Sequence, residues 1–225
     1  MKTVWLGQAG LYLQIAGLRI LVDPYLSDSV GKVNPLNHRR VPVDEGFFDI
    51  QPDVLMFTHD HLDHYDPESA ERFLGQEKPF MVLAPGTCWS KARASGGKHN
   101  YVLFNNGTQW TEGDVRFTAV PAAHSDPGAI GILVEGEGKC LYITGDTLYN
   151  RTIFPALPEN IDVVFLPING AGNNMNPTDA ARFARDCGAK CAVPLHWGLF
   201  DDMDPRVFTF EPKVIPEFYK EVRWE

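Results

Sequence analysis

The segment THDHLDH, residues 58–64, stands directly behind the apolar run PDVLMF, and no other stretch limits the fold of this chain so narrowly. The run reads as a buried strand. A turn at its end can aim the imidazoles of His59, His61 and His64 and the carboxylate of Asp63 at one point in space. Nitrogen and oxygen donors at that density suit zinc, manganese or iron. A metal site at a strand end needs further donors from the ends of other strands. The sequence supplies them singly, each behind its own apolar run: His124 in AVPAAHSD, Asp146 in LYITGDT and His196 in AVPLHWG. Five of the seven histidines thus fall under one explanation, leaving His38 and His99 outside it. His99 follows SGGK and is expected at the surface.

The rest of the chain repeats one pattern. TVWL, LYLQIAG and LRILVDPYL predict three strands joined by tight turns, followed from Ser27 to Phe48 by a long stretch without periodicity. Alternation then sets in: PDVLMFT, a short helix PESAERFL opened by Pro67, a strand from Phe80, a helix from Thr87 to Ala94 and a strand from Tyr101. The hairpin-like runs GTQWTEGDVRFTAVPA, IGILVEG and KCLYITGD start the second round. DVVFLPI, a helix opened by Asn176 and Pro177 and stopped by Gly188, and CAVPLHW end it. Both halves begin strand-rich and end in strand and helix alternation, which predicts two layers of sheet with helices outside.

Composition bears on partners and compartment. Twenty Lys and Arg against 29 Asp and Glu give a net charge of −9, which argues against nucleic acid or an anionic membrane held through bulk charge. No run approaches the roughly 18 to 20 apolar residues of a spanning helix, and MKTVWLGQAG lacks the core of a signal peptide. The expectation is a cytoplasmic chain in which Cys88, Cys140, Cys187 and Cys191 are free thiols. With 225 residues and no linker-like stretch, one domain over residues 1–225 is expected.

In the order H-x-H-x-D-H, then His, then Asp, then His, across residues 59–196, the chain resembles the metallo-β-lactamase superfamily. The resemblance implies an α/β fold, a four-layer αββα sandwich with the site at one edge between two sheets. It implies one divalent ion on His59, His61 and His124, a second on Asp63, His64 and His196, and Asp146 bridging the two. The segments ILVDPYLSD, THDHLDH, GDT, NMNPTDAARFARDCGAK and PLHWGLF look like the branch containing L-ascorbate-6-phosphate lactonase and related small hydrolases. One or two ions, zinc, manganese or iron, would ionise a water and polarise a carbonyl or phosphoryl oxygen. Asp63 is then the catalytic carboxylate that orients the hydroxide and handles its proton.

The expected reaction is hydrolysis of a small lactone, ester or phosphoester, with a phosphorylated sugar lactone preferred. The alternatives are a metal-bound oxidoreductase with persulfide or oxygen chemistry and a phosphodiesterase-type hydrolase. Diiron redox members of the superfamily typically carry Glu where this chain has His61, which weighs against the first. Asp23, in LVDPYL, is expected to accept the free N–H of a ligand imidazole. Arg39 and Arg40 are expected to clamp an anionic substrate, Asn173 and Asn174 to contact it from INGAGNNMNP, and Trp197 to wall the pocket. The expected partner is a small molecule, with no nucleic acid and no membrane, and several copies can assemble.

Overall fold

A computed structural model describes residues 1–224. Two six-stranded sheets form the middle layers. The first runs β1 (Lys2–Gly7), β2 (Gly10–Ile15), β3 (Leu18–Val22), β4 (Val54–Met56), β5 (Met81–Ala84) and β6 (Asn100–Leu103) in chain order. The second holds β7 (Gln109–Glu112), β8 (Val115–Pro121), β9 (Ile130–Gly136), β10 (Lys139–Ile143), β11 (Val163–Pro167) and β12 (Cys191–Leu195), also in chain order. In each, antiparallel hairpins come first and parallel strands reached by crossovers come last. The two halves therefore share a topology, as the repeated alternation in the sequence predicts.

Side-chain alternation builds the layers. Val54 and Met56 of β4, and Val163 and Phe165 of β11, point into the core between the sheets. Leu55 packs outward with Phe73 and Leu74 of α2 (Pro67–Leu74) and Ala92 of α3 (Gly86–Ala94). Val164 and Leu166 pack outward against Phe183 and Ala184 of α4 (Pro177–Asp186). The expected αββα sandwich is the observed fold. Two of these three outer helices, α2 and α4, start where local chemistry dictates. The Asp66 carboxylate accepts from the Glu68 and Ser69 amides, the Asn176 side chain accepts from those of Thr178 and Asp179, and a proline fills the first helical position each time.

The aperiodic stretch after Ser27 is not wholly irregular. It contains a short helix, α1 (Ser29–Val33), and two single turns of 3-10 helix. His99 corrects the expectation of a surface site: it is buried, its ring tilted against that of Phe80 with centroids 3.8 Å apart, and Nε2 donates to the Leu74 carbonyl. All four cysteines are buried and free, and burial raises their thiol pKa values. No helix among the described residues is long and apolar enough to cross a membrane.

Strand direction decides where chemistry can gather. β1, β3 and β4 run one way in the first sheet, as do β8, β10, β11 and β12 in the second. The residues that follow them are Gln8, Asp23, the THDHLDH segment, His124, Asp146, Asn169 and His196. They meet at one edge of the sandwich, outside the carboxyl ends of the strands.

Candidate metal centre

Two groups of donors stand at that edge: His59, His61, His124 and Asp146, and beside them Asp63, His64 and His196. In the first, His61 Nδ1 lies 3.1 Å from both His59 Nε2 and His124 Nε2. Nitrogens about 2.0–2.1 Å from a tetrahedral ion are about 3.3 Å apart, so this spacing fits one ion. In the second, His196 Nε2 is 3.2 Å from Asp63 Oδ2 and 3.4 Å from Asp146 Oδ2, while His64 Nε2 is 3.2 Å from Asp146 Oδ1. Asp146 touches both groups. His64 Nε2 and Asp146 Oδ1 are buried without a hydrogen-bond partner among the described residues, an orphaned pair that a shared cation would satisfy.

The surrounding hydrogen bonds fix which nitrogen faces inward. Asp23 is fully buried. Its carboxylate accepts from the Thr58 amide at 2.8 Å, from the Thr58 hydroxyl, and from His64 Nδ1 at 2.7 Å. His64 therefore turns Nε2 toward the site. Because the Thr58 hydroxyl donates to Asp23, it accepts from His59 Nδ1 at 3.1 Å, turning His59 Nε2 inward. The Asn173 carbonyl, 3.3 Å from His124 Nδ1, does the same for His124. Asp146 is held by the Asn174 amide, whose nitrogen donates to Oδ2 at 2.8 Å and whose oxygen accepts from the Thr147 amide.

Backbone strain collects here. Gln8, Asp23 and His196 adopt left-handed φ values of 48°, 43° and 62°, unusual for residues with side chains, each where the chain turns sharply off a strand. Gly145, at φ 58°, has no alternative: a Cβ would sit 2.8 Å from the Ile130 carbonyl and 3.0 Å from Thr58 Cβ, displacing Asp146 beside it.

The two groups differ in charge. Burial, then the nearby His64, pushes the His59 pKa well below the usual imidazole range, and burial lowers that of His124. For His64, burial is outweighed by the carboxylates of Asp146, Asp23 and Asp63, which hold it well above that range. The same contest at His196, won by Asp146 and Asp63, carries it up to about 10. Asp63 and Asp146 are held below the usual carboxylate range, since the facing imidazoles overcome burial.

Gln8, which sequence patterns leave inside a plain glycine-flanked turn, proves part of the site. It is buried, its amide nitrogen donates to Asp63 Oδ2 at 2.9 Å, and its carbonyl accepts from the His196 amide at 3.1 Å. The donors open into a cavity of about 500 Å³ lined also by Asn37, Ser125, Asn169, Asn173, Phe200 and Asp201. Asn173 reaches it as expected.

Arg39, Arg40 and Trp197 depart from the expected substrate contact, while Asn174 does line the cavity. Arg39 turns inward, its guanidinium donating to the carbonyls of Tyr25, Val41 and Leu6 and to the Tyr219 hydroxyl. Arg40 pairs with Asp202 and is not part of the cavity wall. Asn174 has both amide atoms engaged inside the protein, so it positions Asp146. Trp197 donates to the Pro194 carbonyl and packs 4.9 Å from Trp5, away from the lining.

Comparison with known proteins gives a consistent picture. The family model of the beta-lactamase superfamily domain matches residues 18–197. A UPF0173 metal-dependent hydrolase of Ligilactobacillus salivarius is 30% identical over 227 residues, covering 98% of this chain and 95% of its own length. Among solved structures, an isothiocyanate hydrolase from Delia radicum gut bacteria superposes with a TM-score of 0.77 at 19% identity, over 98% of both chains. A metallo hydrolase of the archaeon Ignicoccus hospitalis gives a TM-score of 0.72 at 19% identity, over 92% of this chain and 88% of its own.

Proposed function

We propose, from the premise that the chain belongs to the beta-lactamase superfamily and within it to the UPF0173 metal-dependent hydrolases, that it hydrolyses a carboxylic ester or lactone bond in a small molecule. It is a metal-dependent hydrolase of the metallo-β-lactamase fold. The single observation that supports the reading is the meeting of two donor groups through Asp146 at the floor of a cavity sized for a small molecule. Divalent cations held by His59, His61, His124 and Asp146 and by Asp63, His64 and His196 would supply an ionised water and polarise the carbonyl under attack.

The chain's own residues do the rest. Asp63 is ionised and borders the cavity, so it takes up the proton of the attacking water, which is returned to the leaving alkoxide as the C–O bond breaks. Gln8 holds the Asp63 carboxylate in one orientation during that exchange. Asp23 and the Asn173 carbonyl keep His64 and His124 in the tautomers that face inward. One side of the cavity is walled by the Phe200 ring, which rests edge-on against Tyr25.

An ester reading is favoured over a phosphoester reading because Arg39 and Arg40 have their partners elsewhere. The test is a hydrolysis panel of lactones, phosphodiesters and thioesters with the metal-loaded protein, the chelated protein and His61→Ala. Lactone or ester turnover by the loaded protein alone is the expected result. Full turnover by His61→Ala, or turnover confined to phosphodiesters, contradicts the reading.

A further inference from the structure

The walls of the cavity beyond the metal donors say what the remainder of the substrate is made of. Among the described residues no Lys or Arg lines it. The charged side chain that the donor groups do not use is a carboxylate, Asp201. Asp201 Oδ1 accepts from the amides of Gly198 and Met203, which fixes its negative charge at the wall. Arg40, brought near by its backbone amide donating to the Leu199 carbonyl, pairs its guanidinium with Asp202 instead. A phosphate or carboxylate tail placed against this wall, away from the metal donors, meets a like charge and no Lys or Arg.

The uncharged part of the wall is the opposite of inert. Asn37, Ser125 and Asn173 line the cavity, and their side chains make no hydrogen bond among the described residues. Each can both donate and accept, which matches a hydroxyl group. A bare hydrocarbon tail would strip water from these groups and return nothing, so the wall discriminates in favour of hydroxyls.

We infer that the part of the substrate lying beyond the scissile bond is uncharged and hydroxylated, so that a polyhydroxy lactone or ester is taken in preference to its phosphorylated counterpart. The inference rests on the hydrolase reading above and narrows it. It replaces the phosphorylated sugar lactone that the sequence resemblance suggests with an unphosphorylated one.

The test compares the metal-loaded protein on γ-butyrolactone, ribono-1,4-lactone and ribono-1,4-lactone 5-phosphate. The expected kcat/KM for the ribonolactone exceeds that for its phosphate at least tenfold. Asp201→Asn keeps the shape and the accepting oxygen but removes the charge, and narrows that gap at least threefold. Asn173→Gly, which suits the left-handed backbone at φ 64°, narrows the KM difference between ribonolactone and butyrolactone about tenfold, as does the exposed Asn37→Ala to a lesser degree. Turnover of butyrolactone with the phosphorylated lactone preferred, and with that preference abolished by Arg40→Ala, overturns this inference alone. A gap indifferent to Asp201→Asn does the same. No turnover of any of the three overturns the ester reading and this inference with it.

Discussion

The two donor groups sit a few ångströms apart yet hold different numbers of protons. His59, His61 and His124 face one another, and burial drives His59 and His124 toward the neutral form that a metal requires. Asp63, His64 and His196 form a carboxylate-rich group in which His64 and His196 retain their protons above neutral pH. His59 and His124 are thus inclined to the neutral form that a cation needs, whereas His64 and His196 must give up protons for one. Asp146 belongs to both and couples them. The lesson is that equal donor count does not make equal sites; the local balance of burial against carboxylates decides.

The largest expected effect follows from removing the residue the groups share. Asp146→Ala should lower kcat/KM by about 10⁴-fold and reduce bound metal at both sites, read by steady-state kinetics and elemental analysis. Loss of one ion with the other retained at full affinity would separate the groups. Asp63→Asn keeps the shape but cannot take the water's proton, and should lower kcat about 10³-fold even at metal concentrations high enough to fill both groups. An unchanged kcat would remove Asp63 from its role.

Smaller effects sharpen the contrast. Gln8→Ala removes the amide that steadies Asp63, and calorimetry should show binding of the second ion weakened about 10- to 100-fold with little change at the first. Equal weakening at both would make Gln8 a residue of general stability. The pH effect is smallest and has a definite sign. His196 titrates in the metal-free fold near 10, above its ordinary 6.5, so its ion pairs stabilise that fold fully below about pH 6.5 and cease to as pH rises through about 10. Over the same range cation binding at the second group should strengthen and release fewer protons as His196 loses its own. Calorimetry in buffers of different ionisation enthalpy measures both.

Much of this was legible in the sequence because the chemistry sits at the ends of apolar runs. A buried strand writes itself as VLMF or LYI, and a polar residue directly after it, such as His59 or Asp146, must lie at a sheet edge. The helices α2 and α4 announced themselves through Asp66-Pro67 and Asn176-Pro177. Arg39 could not be placed the same way, since its partners Leu6 and Tyr219 are distant in the chain and only tertiary packing brings them to it. Trp197 was misleading for a similar reason: Trp5, against which its ring packs at a tilt, lies 192 positions earlier. Gln8 carried one faint signal, a large polar side chain at the end of an apolar strand within GQAG, where a hairpin needs none.

The central claim is that side chains from both sheets form two adjoining cation sites joined by one carboxylate. Anomalous diffraction from crystals of the metal-loaded protein tests it most directly. The account predicts two peaks, one about 2.0–2.2 Å from His59, His61 and His124, the other at that distance from Asp63, His64 and His196, with Asp146 bonded to both. Peaks elsewhere, or a single ion with Asp146 bonded to neither group's neighbour, would contradict it.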